Sequence, residues 1–167
     1  YDHIVKQRLG ILIRSPEVKE VISVCKYLPG ISVLMPAAVV GVGMDVIKKA
    51  ALELAKQAKL TKSKSFAVRA KRSDKTFEHS SKKIEERVGE HIRLKTKAKV
   101  NLTKPSVTVH IETVDNKVFI STEKLRGVGG LPVGVSGKVV CLMTNDDKDF
   151  IAAYLFLRRG CEIIPLH

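Results

Sequence analysis

An uninterrupted apolar run near the C-terminal end constrains the fold more than any other feature of this sequence. Residues 139–143, VVCLM, lack the alternation of a half-exposed strand, so they predict a parallel strand buried on both faces. After a polar turn at 144–149, residues 151–156 carry apolar side chains at helical spacing, and residues 161–166 form a second apolar strand. This order is one βαβ unit of a doubly wound sheet. Because a single unit is too small to be stable alone, we expect the natural chain to continue past His167.

Alternating strands and helices are also predicted at the N-terminal end. The segment 8–14, RLGILIR, predicts a short buried strand. A helix then follows Ser15 and Pro16, since serine is a preferred N-cap and proline suits the first helical position. Further along, two strands are split by Pro36, and a second helix is predicted to be capped by Asp45. This order is the skeleton of a small ferredoxin-like sandwich.

One part of that sandwich has no counterpart in the sequence. A ferredoxin-like fold opens strand–helix–strand, yet the first strand, residues 1–5, leads almost directly from Val5 and Lys6 into the second. Either the sandwich is incomplete, lacking its first helix, or a segment is absent from the sequence near these two residues.

The middle of the chain predicts a second mixed unit. Apolar and basic residues alternate over 66–71, so Arg69 and Lys71 share one face of a predicted strand. Apolar residues at every fourth position of 84–92 predict a helix that Ser81 caps. Two further alternating strands are predicted at 107–112 and 118–121.

The charge is strongly one-signed. The chain has 30 Lys and Arg against 17 Asp and Glu, a formal net charge of +13. Residues 61–135 hold 17 basic and 8 acidic side chains, against 9 and 5 in residues 1–60 and 4 and 4 in residues 136–167. An excess concentrated in one segment indicates a polyanionic partner. A solvated basic surface, as thermophile proteins carry, is the alternative.

The densest basic motif is RAKRSDK. It presents Arg69 and Lys71 from the strand, and Arg72 and Lys75 from the predicted turn after it. Several cations on one surface suit a phosphate backbone, which is bound largely through charge. Charged residues that protect an edge strand would give the same pattern. The basic surface is extended by four lysines, each a weak signal alone: Lys95, Lys97, Lys99 and Lys104.

A glycine-dense stretch, GVGGLPVGVSG, spans residues 127–137. The backbone N–H groups of Gly127, Gly129 and Gly130 could cradle a phosphate, or the stretch could form a hinge with close backbone packing. The pattern favours the hinge, because GxGG is not a GxGxxG motif and no helix follows it at once.

No catalytic or metal-binding set is traceable in the sequence. Cys25, Cys141 and Cys161 lie far apart in apolar contexts, which predicts buried thiols in a reducing compartment. The five histidines share no metal-ligand spacing, and no run of 18 apolar residues predicts a membrane span.

Several stretches resemble the tRNA 4-thiouridine synthetase (tRNA sulfurtransferase) family. FAVRAKRSDKTFEHSSKKIEERVGEHI and VNLTKPSVTVHIE resemble its RNA-binding THUMP domain. KLRGVGGLPVGVSGK resembles the junction to its PP-loop pyrophosphatase domain, and AAYLFLRRGCEIIPLH resembles the start of that domain. The resemblance implies a mixed α/β (α+β) fold in three parts. These are a ferredoxin-like N-terminal sandwich at 1–60, a THUMP domain at 61–135, and the first βαβ unit of a doubly wound PP-loop pyrophosphatase-like domain at 136–167.

The same resemblance implies roles for particular residues. The first two domains would hold the acceptor end of tRNA, and the third would use ATP and Mg²⁺ to activate uridine for sulfur transfer. At the strand ends, Leu142, Met143 and His167 would flank the nucleotide. The tRNA contacts that the resemblance implies are Arg69, Lys71, Arg72, Lys75, Lys124 and Arg126. Lys104 is added to this set because of its charge alone.

The phosphate loop departs from the family pattern, Ser-Gly-Gly-hydrophobic-Asp-Ser. This chain has TNDDKD at 144–149, so both glycines are replaced and carboxylates are added. Glycines let backbone N–H groups curl around a pyrophosphate, whereas carboxylates repel it. The sequence therefore predicts a degenerate PP-loop. No catalytic or metal-binding residue is assigned, and the chain alone is expected neither to hydrolyse ATP nor to thiolate tRNA.

The favoured function is a tRNA-binding module of a 4-thiouridine synthetase-like protein, a family that the resemblance links to thiamine biosynthesis as well. One alternative is that the full-length form is an active ATP-dependent tRNA sulfurtransferase. Another is that the THUMP domain serves a different tRNA modification, such as methylation or pseudouridylation. Expected partners are tRNA, a second copy in a homodimer and, by the resemblance, a sulfur-donor protein. We expect a cytoplasmic location and no membrane contact.

Overall fold

The computed structural model describes residues 4–7, 10–73, 77–114 and 116–167. The chain divides into two compact units. One holds the described residues up to Arg14 together with Met35–Glu123, and the other holds Ser15–Leu34 and Lys124–His167. The elements in chain order are β1 (Ile4–Gln7), β2 (Gly10–Ile13), α1 (Val18–Cys25), β3 (Val33–Leu34), β4 (Ala38–Val40), α2 (Met44–Gln57), β5 (Ser65–Arg72), α3 (Ser81–Thr96), β6 (Lys99–Val100), β7 (Val107–Val114), β8 (Lys117–Ser121), β9 (Leu125–Arg126), β10 (Lys138–Leu142), α4 (Asp147–Arg158) and β11 (Glu162–Leu166). The predicted mixed α/β class is confirmed.

The first unit is built on a five-stranded mixed sheet in the order β4-β8-β7-β5-β6. Strand β5 runs parallel to both β6 and β7, while β8 is antiparallel to β7 and to β4. Helices α2 and α3 pack against the sheet and against each other. The largest fully buried apolar side chains come from both layers and are Phe66, Ile47, Ile84, Ile92, Ile111, Ile120, Val88, Val109 and Val118.

The predicted periodicities of this unit are confirmed. On α3, Ile84, Val88 and Ile92 are all fully buried, because positions four apart lie on one face of a helix. On β5, Phe66 and Val68 are buried in the core, whereas Arg69 and Lys71 are exposed. The strand therefore carries these two cations on the face that points away from the helices.

Three predicted helix starts are corrected by the structure. Glu17 is the N-cap of α1, and Ser15 accepts a hydrogen bond from the Glu17 N–H at 3.0 Å. Gly43 is the N-cap of α2, so Asp45 lies in the first turn. Ser80, one residue before the predicted Ser81, caps α3, and its Oγ accepts from the Lys83 N–H at 3.3 Å. At α3 two adjacent serines offer the same cap, whereas at α1 and α2 no side chain forms a cap hydrogen bond, so local sequence does not mark these helix starts.

The N-terminal strands form a separate antiparallel hairpin, β1–β2, in which Ile4 pairs with Ile13 and Gln7 with Gly10. Val5 and Lys6 are neighbours inside β1, and the described residues contain no helix between the two strands. The predicted burial of β2 is wrong, since Ile11 is 68% exposed. The boundaries at residues 60 and 135 stay predictions.

The second unit contains the predicted βαβ arrangement. Strands β10 and β11 are parallel, with α4 as their crossover. The predicted burial of β10 on both faces is wrong, because exposure alternates along the strand and Leu142 is 62% exposed. The described residues give β10 one neighbouring strand, so half of its surface has nothing to bury it. For the same reason Cys141 is half-buried, whereas Cys25 and Cys161 are buried as predicted.

The remainder of the second unit comprises α1 and the antiparallel pair β3–β9. Among the described residues, no helix is long and apolar enough to cross a membrane.

Candidate nucleic-acid interface

Arg69 lies on β5 and reaches the loop that follows β6. Its Nη2 donates a hydrogen bond to the Leu102 carbonyl oxygen. The loop is held from its other side as well, since the Asn101 N–H donates to the Phe66 carbonyl at 2.9 Å. An arginine has five N–H donors, so this contact leaves most of the guanidinium available.

Lys104 is brought to the same place by the same loop. The side chain of Asn101 accepts from the N–H groups of Thr103 and Lys104, at 3.1 and 3.0 Å, which closes an Asx turn. Lys104 is exposed. The structure therefore brings Arg69 and Lys104, which are 35 positions apart in sequence, onto one loop–strand surface.

Lys71 is the second exposed cation of β5. The register of the sheet places Glu112 of β7 directly beside it, on the same face. A neighbouring carboxylate lowers the local positive potential, so Lys71 contributes less to this surface than its exposure alone indicates.

Arg72 differs from its neighbours. It was predicted on the turn after the strand, but it is the last residue of β5 and is half-buried. Its Nη1 donates to the Phe77 carbonyl oxygen at 3.0 Å, so the side chain already has an acceptor within the first unit. Lys75 lies outside the described residues.

Lys124 and Arg126 belong to the second unit, not to the first. Both are exposed, and Arg126 sits on β9 opposite Val33 of β3. The predicted tRNA contacts thus fall into two groups, one in each unit.

The predicted nucleotide-flanking residues meet at one edge of the βαβ unit. Leu142 pairs with Leu166, and the Met143 N–H donates to the Leu166 carbonyl at 2.8 Å. His167 follows directly and is exposed. This edge holds the carboxyl ends of two parallel strands, which is where doubly wound folds bind ligands.

The predicted turn at 144–149 is corrected, because α4 already begins at Asp147. The shorter turn between β10 and α4 is closed by its own side chains and by one from the first turn of α4. The Asp149 carboxylate accepts from both the N–H and the Oγ1 of Thr144, at 2.6 and 2.7 Å. Asp146, the N-cap of α4, accepts from the Lys148 N–H at 3.0 Å. The hydrogen bond from the Thr144 N–H, more than any other contact, lowers the pKa of Asp149, so this carboxylate is charged at neutral pH.

The glycine stretch packs closely within the second unit. The Gly127 and Gly129 N–H groups donate to the carbonyls of Ser32 and Ile31, at 3.1 and 2.9 Å. A Cβ added to Gly127 would overlap the Ile31 carbonyl oxygen, and one added to Gly130 would overlap that of Arg158. The close backbone packing of the favoured prediction is present, and the N–H groups of Gly127 and Gly129 already have acceptors.

Sequence reasoning gave less weight to a basic groove at the end of α3. Its lining comprises Arg93, Leu94, Lys97, Ala98, Lys99 and Val100. Lys97 and Lys99 had been noted only as weak extensions of the basic surface, because strand β6 that carries Lys99 is two residues long and has no periodic signal. A count of acidic residues would have found it, since none occurs between residues 91 and 111.

His91 lies on α3 and is half-buried. Burial lowers the pKa of His91, and the nearby charges of Lys48 and Lys95 lower it further, so this imidazole is neutral at pH 7. In the described ranges, no group of three or more His, Cys, Asp or Glu side chains is placed to hold a metal ion.

The middle of the chain is similar to a known domain family. The THUMP domain family matches residues 43–123. Residues 43–123 are therefore a THUMP domain. The resemblance to tRNA 4-thiouridine synthetases predicted from the sequence is confirmed by the relatives and the solved structures that follow.

Two curated relatives are each called a probable tRNA sulfurtransferase. One, from Thermococcus kodakarensis, is 37% identical over 161 residues, which are 94% of this chain and 42% of the relative. The other, from Methanocaldococcus jannaschii, is 38% identical over 77% of this chain and 32% of the relative. The chain thus spans less than half the length of these relatives.

Two solved structures are also similar. PH1313 from Pyrococcus horikoshii Ot3 has a TM-score of 0.89 and 31% identity, over 99% of this chain and 56% of that protein. A 4-thiouridine synthetase solved as an RNA complex with bound ATP has a TM-score of 0.78 and 25% identity, over 97% of this chain and 42% of that one.

Proposed function

We propose that the chain is the tRNA-binding part of a 4-thiouridine synthetase-like protein, and that its first unit holds tRNA mainly through phosphates. One observation carries this proposal. Arg69, Lys71 and Lys104 are exposed, and in the described part of the chain none of them forms an ion pair with a carboxylate. Unpaired cations on one surface repel each other, and a polyanion relieves that repulsion.

We infer an order among the predicted contacts. Arg69 and Lys104 share one loop–strand surface and should contribute most. Lys71, beside Glu112, should contribute less. Arg72 already donates to the Phe77 carbonyl, so its substitution should act through the local fold more than through RNA.

The finer role is to position the acceptor end of tRNA for uridine thiolation. It is supported by the names of the relatives and by the RNA complex of the similar 4-thiouridine synthetase. Lys124 and Arg126 would add contacts from the second unit. ATP-dependent sulfurtransferase activity, a homodimer and a sulfur-donor partner would belong to the full-length form, because the chain covers 42% of its Thermococcus relative.

We infer further that the turn at 144–149 does not fit the phosphates of ATP. A phosphate at a helix start needs free N–H groups, yet those of Thr144 and Lys148 already donate to carboxylates of this chain. The exposed carboxylates also repel a phosphate. No step of a reaction is therefore assigned to this turn.

The test is a tRNA-binding titration at several salt concentrations. The double substitution Arg69→Ala and Lys104→Ala should weaken tRNA binding about tenfold near 0.1 M salt, and should lower the salt slope by about 2 because two phosphate contacts are lost. The matched control is Lys49→Ala with Lys56→Ala, which removes the same charge from exposed positions of α2. Equal losses in both variants would show that net charge, not this surface, governs binding.

A further inference from the structure

Two stretches of the first unit carry many cations and no carboxylate. Residues 59–73 contain six Lys or Arg and no Asp or Glu, and residues 91–111 contain five and none. Together these 36 positions hold eleven cations, more than a third of the 30 in the chain.

The fold places the two stretches side by side. Strand β6 pairs with the start of β5, with Ser65 opposite Lys99, and the Lys99 N–H donates to the Lys64 carbonyl at 3.3 Å. Because Asn101 continues the pairing and leads into the loop that Arg69 holds, the cations of both stretches border one strip along this edge of the sheet.

At the end of the strip beside α3, the backbone of Lys97 is hydrogen-bonded to the helix. Lys97 follows α3 in the left-handed conformation, with φ 60°, and its N–H donates to the Arg93 carbonyl at 2.9 Å. Lys97 and Lys99 are exposed and line the groove beside the helix end. Arg93 is different, since its guanidinium is forked onto Glu90 at 2.9 and 3.0 Å.

Ordinary structural reasons account for only part of this charge. Cations in the last turn of a helix favour its dipole, which explains Arg93 and Lys95. Lysines also protect edge strands, but β6 has only two residues and its shortness is itself a protection. Neither reason applies to Lys64, which precedes β5 and is half-buried. Its carbonyl accepts the Lys99 N–H, so the presence of these two lysines side by side is left to explain.

We propose that this edge strip, formed by Lys64, Lys97 and Lys99, is a second contact for the RNA sugar–phosphate backbone, continuing from the surface of Arg69 and Lys104. The inference rests on the proposed tRNA binding and extends its footprint along β6. The ligand chemistry is phosphate on a polymer, because the described residues of the strip offer several cations, and the Glu90 carboxylate on α3 is already bound by Arg93.

The test compares four forms of the full 167-residue chain in tRNA titrations at several salt concentrations. These are the wild type, Lys64→Ala with Lys99→Ala, Lys64→Arg with Lys99→Arg, and the control Lys49→Ala with Lys56→Ala. The strip double alanine variant should bind tRNA about five- to tenfold more weakly, with a salt slope lower by about 2, whereas the arginine variant should keep both. Thermal melting checks that each form is folded.

The outcomes separate this inference from the proposed function. If Arg69→Ala with Lys104→Ala weakens binding but the strip variant matches the control, the strip is not an RNA contact. If neither double variant exceeds the control, the proposed tRNA surface itself is wrong. If the strip variant loses affinity for polyglutamate but not for tRNA, the strip serves an acidic protein and the inference is overturned.

Discussion

In the first unit, Arg69 of β5 and Lys104 in the loop after β6 are exposed and form no ion pair with a carboxylate among the described residues. In the second unit, the backbone N–H groups suited to an anion already donate to the chain's own oxygens, as those of Gly127 and Thr144 do. From sequence, the cations of the first region predict an anion site. For the second region a phosphate cradle was the less favoured interpretation of the glycines, and the carboxylates at 144–149 were predicted to repel phosphate. The comparison shows that an anion site depends on donors that the fold leaves free.

The first prediction tests the close packing of the second unit at Gly130. Its φ of 88° disfavours any side chain, and an added Cβ would overlap the Arg158 carbonyl oxygen. Gly130→Ala should therefore destabilise the protein by more than the roughly 1–2 kcal/mol of the left-handed conformation alone. The matched control is Gly129→Ala, where φ is 65° but the space is open. Melting temperatures measure both, and equal losses would mean that the glycine stretch is not closely packed.

The second prediction separates charge from geometry at Arg69. Arg69→Lys keeps the cation but loses the planar fork that holds the Leu102 carbonyl. We expect tRNA binding to weaken about two- to threefold with an unchanged salt slope, while Arg69→Ala lowers the slope by about 1. Salt titrations of both variants give the answer. A lower slope for Arg69→Lys would show that the charge must be held in place to act.

Local periodicity accounts for what the sequence predicted well. Alternation over 66–71 and the spacing of Ile84, Val88 and Ile92 each concern one element that buries one face, so no partner element needs to be known. The βαβ unit was predicted on the same ground. The burial of β10 was predicted wrongly, because it depends on how many strands lie beside β10 in the sheet.

The candidate surface was predicted only in part. The exposure of Arg69 and Lys71 follows from alternation, but the approach of Lys104 to Arg69 depends on a loop closed by Asn101 and on β6, a two-residue strand with no pattern of its own. Arg72 was misplaced because the end of a strand is set by pairing with β7, which local sequence does not show. The closed turn at 144–149 was foreseen as repulsive, but not as a set of hydrogen bonds.

The last prediction is that ATP has no effect. Titration of the chain with ATP and Mg²⁺ should give no binding heat. In a separate assay, AMP and pyrophosphate should stay at the level of a sample without protein. The reason is that Asp149 occupies the Thr144 N–H and hydroxyl while Asp146 occupies the Lys148 N–H, so a phosphate would have to displace charged acceptors from short hydrogen bonds. Magnesium bridging the carboxylates would reverse the repulsion, which is why the titration includes it. tRNA added to the same sample serves as the positive control for folded protein. Binding heat with ATP, in a sample of protein that also binds tRNA, would contradict the prediction. It would show that the turn opens and that its N–H groups are available to a nucleotide after all.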